Sequence, residues 1–202
     1  MDGSLIYVMG PSGAGKDSLI KAAKIKFKDS PGLKFVRRYI TREDESGSED
    51  NLAVSQFLFD QLENSGEFIF SWRSHGLSYG IPGLEVKKWL EEGRVAVMNG
   101  SRAYLPRALK IIPDLRPILV TARPEVIVER LKARGREDQA ATAERLKPLE
   151  YKFPEINNLP EIDNSGNLSE AAAVFCDFLQ QALNEAGRLQ ISFIDPATEC
   201  RN

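Results

Sequence analysis

The chain is poor in the residues that most often build metal centres, disulfide frameworks and membrane spans. Its 202 residues include two cysteines and one histidine. Cys176 and Cys200 stand far apart, with neither metal-ligand nor redox spacing, so a cysteine-built metal site or disulfide scaffold is excluded and a reducing cytoplasm is the expected setting. Cys176 falls on an apolar helical stretch and reads as core. No apolar run approaches the roughly 20 residues of a membrane helix, and no charged start with an apolar middle precedes the first strand, so the expected protein is soluble and makes no membrane contact. Excess charge is scarce as well. Lys and Arg number 27 against 29 Asp and Glu, a net −2 that argues against a dedicated nucleic-acid binder. There is no internal repeat or low-complexity tract, and the length suits one domain with a sizeable core.

What is present begins at the amino end, where the apolar run Leu5-Ile6-Tyr7-Val8-Met9 opens into Gly10-Pro11-Ser12-Gly13-Ala14-Gly15-Lys16. A hydrophobic strand leading into G-x-x-x-x-G-K is a phosphate-binding loop. Its glycines let backbone N–H groups turn inward around phosphate oxygens, a helix starting at Lys16 aims its positive dipole end at the same anion, and the lysine reaches the β- and γ-phosphates. Ile20, Ala23 and Phe27 then recur at helical spacing. The residue after the lysine is normally Ser or Thr, whose hydroxyl ligates Mg²⁺; here it is Asp17, with Ser18 next. A carboxylate oxygen is also a hard ligand, so Asp17 can hold Mg²⁺ directly or through water; the other reading is that it only favours the helix N-terminus electrostatically.

Strand-like apolar runs recur at 5–9, 35–40, 68–71, 95–98 and 118–121, with a weaker one at 159–163. Between them lie amphipathic segments at 16–28, 55–64, 84–92, 104–112, 124–134, 140–151 and 168–185. This alternation predicts an α/β fold with a parallel sheet covered by helices on both faces, its ligands beyond the carboxyl ends of the strands. Two stretches break the rhythm. The acidic, Gly/Ser-bearing segment 41–51, together with 55–79, reads as an inserted subdomain rather than sheet, and Arg134-Gly135-Arg136-Glu137-Asp138 reads as a charged hinge. The expected organisation is a single domain over 1–190, with core segments 1–34, 80–134 and 152–190, an insert at about 35–79 and a lid at about 134–151; 191–202 form an extension that adds an edge strand.

Arginines gather at element ends: Arg37, Arg38 and Arg42 after the second strand, Arg102 after the fourth, and Arg130, Arg134, Arg136 and Arg145 around the hinge. Singly each reads as a surface charge; together they suit a substrate with several phosphates, because phosphoryl transfer needs positive charge around the migrating group more than covalent help. His75-Gly76-Leu77-Ser78-Tyr79-Gly80 reads as a turn whose Tyr79 hydroxyl can bind a phosphate oxygen, with His75 structural. Asn99-Gly100-Ser101-Arg102 follows a strand, so its polar side chains are expected at the cleft. Phe70 and Trp72 read as core or as the wall of an acceptor site.

Taken together, the phosphate loop, Thr41-Arg42 with Gly47 and Glu49, His75-Gly76 with Tyr79-Gly80, and Arg130-Leu131 with Arg134-Gly135 and Arg145-Leu146 resemble the guanylate-kinase branch of the P-loop nucleoside monophosphate kinases, from about residue 4 to about 180. The resemblance implies that Gly10 through Ser18, with Arg130, bind ATP, that Arg42 and Tyr79 bind the acceptor phosphate, and that Arg134 and Arg145 are catalytic lid arginines. Two departures stand out. Phe70 occupies the position where guanylate kinases carry an acid that reads guanine, and Asn99 and Ser101 replace two aspartates. An apolar side chain cannot accept the N–H donors of guanine, so GMP is a poor acceptor.

Gly15-Lys16-Asp17-Ser18, Arg37-Arg38-x-Ile40-Thr41-Arg42, Trp72-x-x-His75-Gly76-Leu77-x-Tyr79-Gly80-Ile81 and Asn99-Gly100-Ser101-Arg102 resemble instead the ribose 1,5-bisphosphate phosphokinases of bacterial phosphonate breakdown. That resemblance implies ATP and Mg²⁺ (at Asp17) on the donor side, a phosphorylated ribose as acceptor, and 5-phosphoribosyl 1-diphosphate as product. The implied acceptor residues are Arg37, Arg38, Arg42, Tyr79, Asn99, Ser101 and Arg102; oligomeric state is open, a homodimer included. One departure remains, since a His commonly stands where this chain has Asn51. The competing readings are a guanylate-kinase-like enzyme with an altered acceptor and a non-catalytic binding module, although such modules lose the lysine that Lys16 supplies here.

Overall fold

A computed structural model describes residues 3–42, 51–133, 156 and 158–192. The main sheet has five strands in the order β2-β7-β1-β8-β9: β1 (Ser4–Met9), β2 (Leu33–Phe35), β7 (Val95–Asn99), β8 (Arg116–Thr121) and β9 (Glu161–Asp163). All its pairings are parallel, with Ile6 opposite Val97 on one side and opposite Arg116 on the other. Alternation along β1 divides the core in two. Ile6 and Val8 face α1 (Lys16–Lys26) and α6 (Leu168–Ser192) through Leu19, Ala23, Phe175, Cys176 and Leu179, while Leu5, Tyr7 and Met9 face α3 (Gly83–Glu91) and α4 (Leu105–Ile111) through Val86, Leu90, Leu105 and Ala108. The expected sheet with helices on both faces is therefore present, and burial pushes the Cys176 thiol up, as suits a core sulfur. Among the described residues no helix is long and apolar enough to cross a membrane.

The second strand and the insert differ from expectation. The run 35–40 is not one strand: β2 ends at Phe35, and the chain then crosses into a separate four-stranded sheet as β3 (Tyr39–Ile40). The crossing point is Arg38, which is buried against Asp17 and Asn99 at the carboxyl end of the main sheet. The insert is itself sheet, in the order β4-β3-β6-β5 with β4 (Leu52–Ala53), β5 (Phe68–Ser74) and β6 (Leu77–Pro82). The apolar run 68–71 is the start of β5, whereas β3 and β4 have two residues each, too few to signal a sheet without their partners. α2 (Gln56–Asn64) packs Phe59 on Phe68, and the Ser55 side chain accepts from the Leu58 N–H to cap it.

The segment 75–80 is likewise not a turn throughout. Only His75 (φ 49°) and Gly76 (φ 73°) turn, in a two-residue hairpin closed by Ser74 opposite Leu77, and Tyr79 lies on strand β6 opposite Trp72. At the other end, Ile191 and Ser192, expected to begin an edge strand, continue α6. α5 (Pro124–Ala133) carries Arg130 toward the phosphate loop. The expected lid, with Arg134, Arg145 and the helix at 140–151, lies outside the described residues, as do Gly47, Glu49 and Cys200.

Candidate active site

The loop between β1 and α1 takes the form its glycines allow. Gly13 and Gly15 have φ of 85° and 90°, Gly15 being the left-handed residue that opens the helix. A Cβ at Gly10 would strike the Val120 carbonyl, and one at Gly15 would strike the Asn164 amide, so the loop is pressed between β8 and the segment after β9. Lys16 Nζ donates to the carbonyls of Gly10 and Pro11, both at 2.9 Å, which folds the ammonium across the loop. Ala14 is fully buried and its carbonyl is a meeting point. Asn164 Nδ2 donates to it at 2.7 Å and Arg130 Nη1 at 3.5 Å, while Arg130 Nη2 donates to the Asn164 carbonyl at 2.9 Å. Ser12 and Ser18 stand half-buried on the same loop and first turn.

Asn164 is held in turn. Its N–H donates to the Thr121 carbonyl at 2.8 Å. The next turn is tied by Asp163, whose carboxylate accepts from the Ser165 hydroxyl and N–H and is held below the usual carboxylate range by those bonds. The clamp on Ala14 joins segments 150 positions apart, so only the fold creates it.

A second cluster forms where α1 meets the ends of β7 and β2. Asn99 Nδ2 donates to Asp17 Oδ1 at 2.6 Å, and Arg38 Nη2 lies 3.9 Å from the same oxygen. Arg38 also donates from Nε to Asn51 Oδ1 at 3.2 Å and from Nη1 to the Asn99 carbonyl at 3.5 Å. Its guanidinium lies 5.6 Å from the centre of the Tyr79 ring, and Tyr79 stacks on Trp72 at 5.4 Å with 5° between the planes. Of the expected acceptor residues, the fold thus brings Arg38, Asn99 and Tyr79 together. Arg42 is half-buried just after β3, where Thr41 and Ser78 exchange bonds: the Thr41 N–H donates to the Ser78 carbonyl at 3.1 Å and the Ser78 N–H to Thr41 Oγ1 at 2.9 Å. Arg37 is exposed and Arg102 half-buried in the turn before α4.

Ser101 joins the site through its backbone. The Tyr7 hydroxyl donates to the Ser101 carbonyl at 2.8 Å and accepts from its N–H at 3.0 Å. Burial pushes the Tyr7 hydroxyl far above its usual titration range, so it stays a donor. Tyr7 was hidden in an apolar strand; its one polar atom was the available signal. Phe70 is sealed edge-on between Tyr7 and Tyr104, which settles it as core. Trp72, half-buried, leans on Tyr104 and packs against the same apolar layer.

Nothing in this cluster resembles a protein-built metal cage. Among the described residues no three His, Cys, Asp or Glu side chains converge. Mg²⁺ at a nucleotide site needs only one or two carboxylates, with phosphates and water completing its shell, and the single carboxylate of Asp17 beside Lys16 fits that donor set.

No protein-family model matches the chain. Individual relatives do. A protein of Chromobacterium violaceum named ribose 1,5-bisphosphate phosphokinase PhnN is 47% identical over 178 residues, 88% of this chain and 94% of that protein. A protein of the same name from Pseudomonas paraeruginosa is 43% identical over 180 residues, 89% of this chain and 96% of that protein. The chain belongs to the ribose 1,5-bisphosphate phosphokinase family. Membership makes it a kinase, a phosphotransferase. Among solved structures, guanylate kinase from Anaplasma phagocytophilum superposes with a TM-score of 0.66 over 89% of this chain and 85% of that one. At 16% identity that likeness establishes the P-loop kinase fold alone.

Proposed function

We propose that the chain transfers the γ-phosphoryl group of ATP to the C1 phosphate of ribose 1,5-bisphosphate, giving 5-phospho-α-D-ribose 1-diphosphate and ADP in the cytoplasm, as part of phosphonate catabolism. One observation carries the choice of acceptor. The positions that match the guanine-reading acids of guanylate kinases carry no carboxylate here: Phe70 is 1% exposed among aromatic rings, and Asn99 gives its Nδ2 to Asp17. A guanine in that region would find no carboxylate for its N–H donors, whereas a baseless sugar needs none.

The nucleophile is an oxygen of the C1 phosphate, already deprotonated at neutral pH, so no general base is required. Catalysis reduces to alignment and charge neutralisation. Lys16 and the loop N–H groups hold the donor phosphates, and Arg130 with Asn164 keeps the loop in shape. Arg42, Tyr79, Arg37 and Arg102 supply contacts to the acceptor phosphates, and Arg134 and Arg145 close over the migrating group. Mg²⁺, held by Asp17, supplies further neutralisation when bound.

Phosphorus NMR of reactions with ATP, Mg²⁺ and a panel of acceptors tests the reading. The expected result is a new diphosphate on C1 of ribose 5-phosphate, with kcat/KM at least about 10³ above that for GMP, the scale set by unpaired buried polar groups. Comparable turnover of GMP would return the chain to the nucleotide kinases with an altered acceptor.

A further inference from the structure

Among the arginines expected at the acceptor, Arg38 is set apart by burial. It is 9% exposed, whereas Arg37 is exposed and Arg42 and Arg102 are half-buried. A guanidinium offers five N–H donors in a rigid fork, and in Arg38 that fork spans four separate segments. On one side are Asp17 from the first turn of α1 and the Asn99 carbonyl at the end of β7. On the other are Asn51, just before β4, and the Tyr79 ring on β6. The first pair belongs to the phosphate-loop wall and the second to the insert. Beyond Tyr79 the ring stack continues through Trp72 to Tyr104, 5.7 Å from Trp72 and inclined at 35°.

We propose that Arg38 is a positioning residue that ties the nucleotide loop to the acceptor sheet, and not a ligand of the acceptor phosphate. The physical basis is the expense of stranding a buried charge: when Asp17 shifts, the guanidinium must follow or lose a partner it cannot replace with water. A nucleotide bound with Mg²⁺ beside Asp17 would draw that carboxylate toward the cation and the guanidinium toward the phosphates, so the loaded and unloaded states differ in where Arg38 rests. Its movement is read out at Tyr79 and Trp72. Coupling of this kind is reciprocal, so a filled acceptor site must tighten nucleotide binding by the same factor that nucleotide tightens acceptor binding. The inference rests on the nucleotide and acceptor sites of the proposed function.

The chain has two tryptophans, Trp72 on β5 and Trp89 on α3. A Trp89→Phe background therefore isolates the emission of Trp72. Titrating that protein with MgADP is expected to change Trp72 emission with the same midpoint that calorimetry gives for ADP, and ADP is expected to tighten ribose 1,5-bisphosphate binding about fivefold or more, the usual lower range of site-to-site coupling. In Arg38→Met the emission change and the tightening are both lost, while the ADP Kd stays within about threefold. Arg38→Lys, which keeps the charge but lacks the fork, shows the same loss and serves if the methionine variant does not fold. An emission change that survives in both variants overturns the inference, and so does a weakened acceptor affinity with the ADP effect intact, the behaviour of a plain phosphate ligand. If the Trp89→Phe protein binds ADP with unaltered emission, this inference falls alone. If it binds no ADP, the phosphotransfer reading falls with it.

Discussion

In the proposed reaction Lys16 has two roles that can be separated by substitution. Its ammonium bonds two loop carbonyls at 2.9 Å, a local contact at a half-buried position, whereas its charge is what a phosphoryl transition state requires. Lys16→Ala is therefore expected to lower kcat by about 10²–10³, the usual effect of removing one preorganised electrostatic donor, while the circular-dichroism melting curve keeps its shape and shifts little. Retention of most activity by the folded variant would remove the phosphate loop from catalysis. Glu63 makes a different kind of contribution. Arg73 donates to both of its carboxylate oxygens, at 3.2 and 2.6 Å, and these bonds hold the Glu63 carboxyl below its usual value. Because the folded value is the lower one, the pair's contribution is full above the unfolded carboxylate pKa and is lost as pH falls through the folded pKa. Glu63→Gln should cost under about 1 kcal/mol at neutral pH, as for other exposed pairs, and nothing at a pH low enough to protonate the carboxyl in the folded state as well. Urea unfolding of both proteins at the two pH values checks this, and an equal loss at both would assign the effect to packing instead.

At the level of elements, the end of β7 is built by close approach. A Cβ at Gly100 would collide with the Tyr7 ring, and Tyr7 is fully buried with its hydroxyl bonded to both backbone groups of Ser101. Gly100→Ala must push that ring or bend the strand end, an overpacking expected to cost about 1–3 kcal/mol in chemical denaturation. An unchanged midpoint would show that β7 can yield there. The same elements show what pattern alone conveys. The runs at 5–9, 95–98 and 118–121 match strands β1, β7 and β8 within two residues, because strands buried on both faces must be apolar throughout. Short two-residue strands such as β3 and β4 carry no period of their own, and β6 was obscured by the hairpin residues His75 and Gly76 that precede it.

For the molecule as a whole, the candidate site lies where the main sheet, the insert and α1 meet. If Arg134 and Arg145 engage the migrating phosphoryl group only after closure, Arg134→Ala and Arg145→Ala should each lower kcat by about tenfold or more with the ATP Kd, measured by calorimetry, changed by less than about threefold. Weaker ATP binding at unchanged kcat would make them ground-state ligands. The phosphate loop, the parallel sheet and the family were legible in the sequence because they rest on residues adjacent in the chain: an apolar strand, glycines at fixed intervals, a lysine and a helix start. Pairings across the chain were not. Asn164 and Ala14 are 150 positions apart yet share a 2.7 Å bond, and Arg38 gathers partners from residues 17, 51, 79 and 99. Whether an arginine in the run Arg37-Arg38 faces solvent or a buried carboxylate depends on which strand end the chain crosses next to it, and that is decided only when distant segments pack.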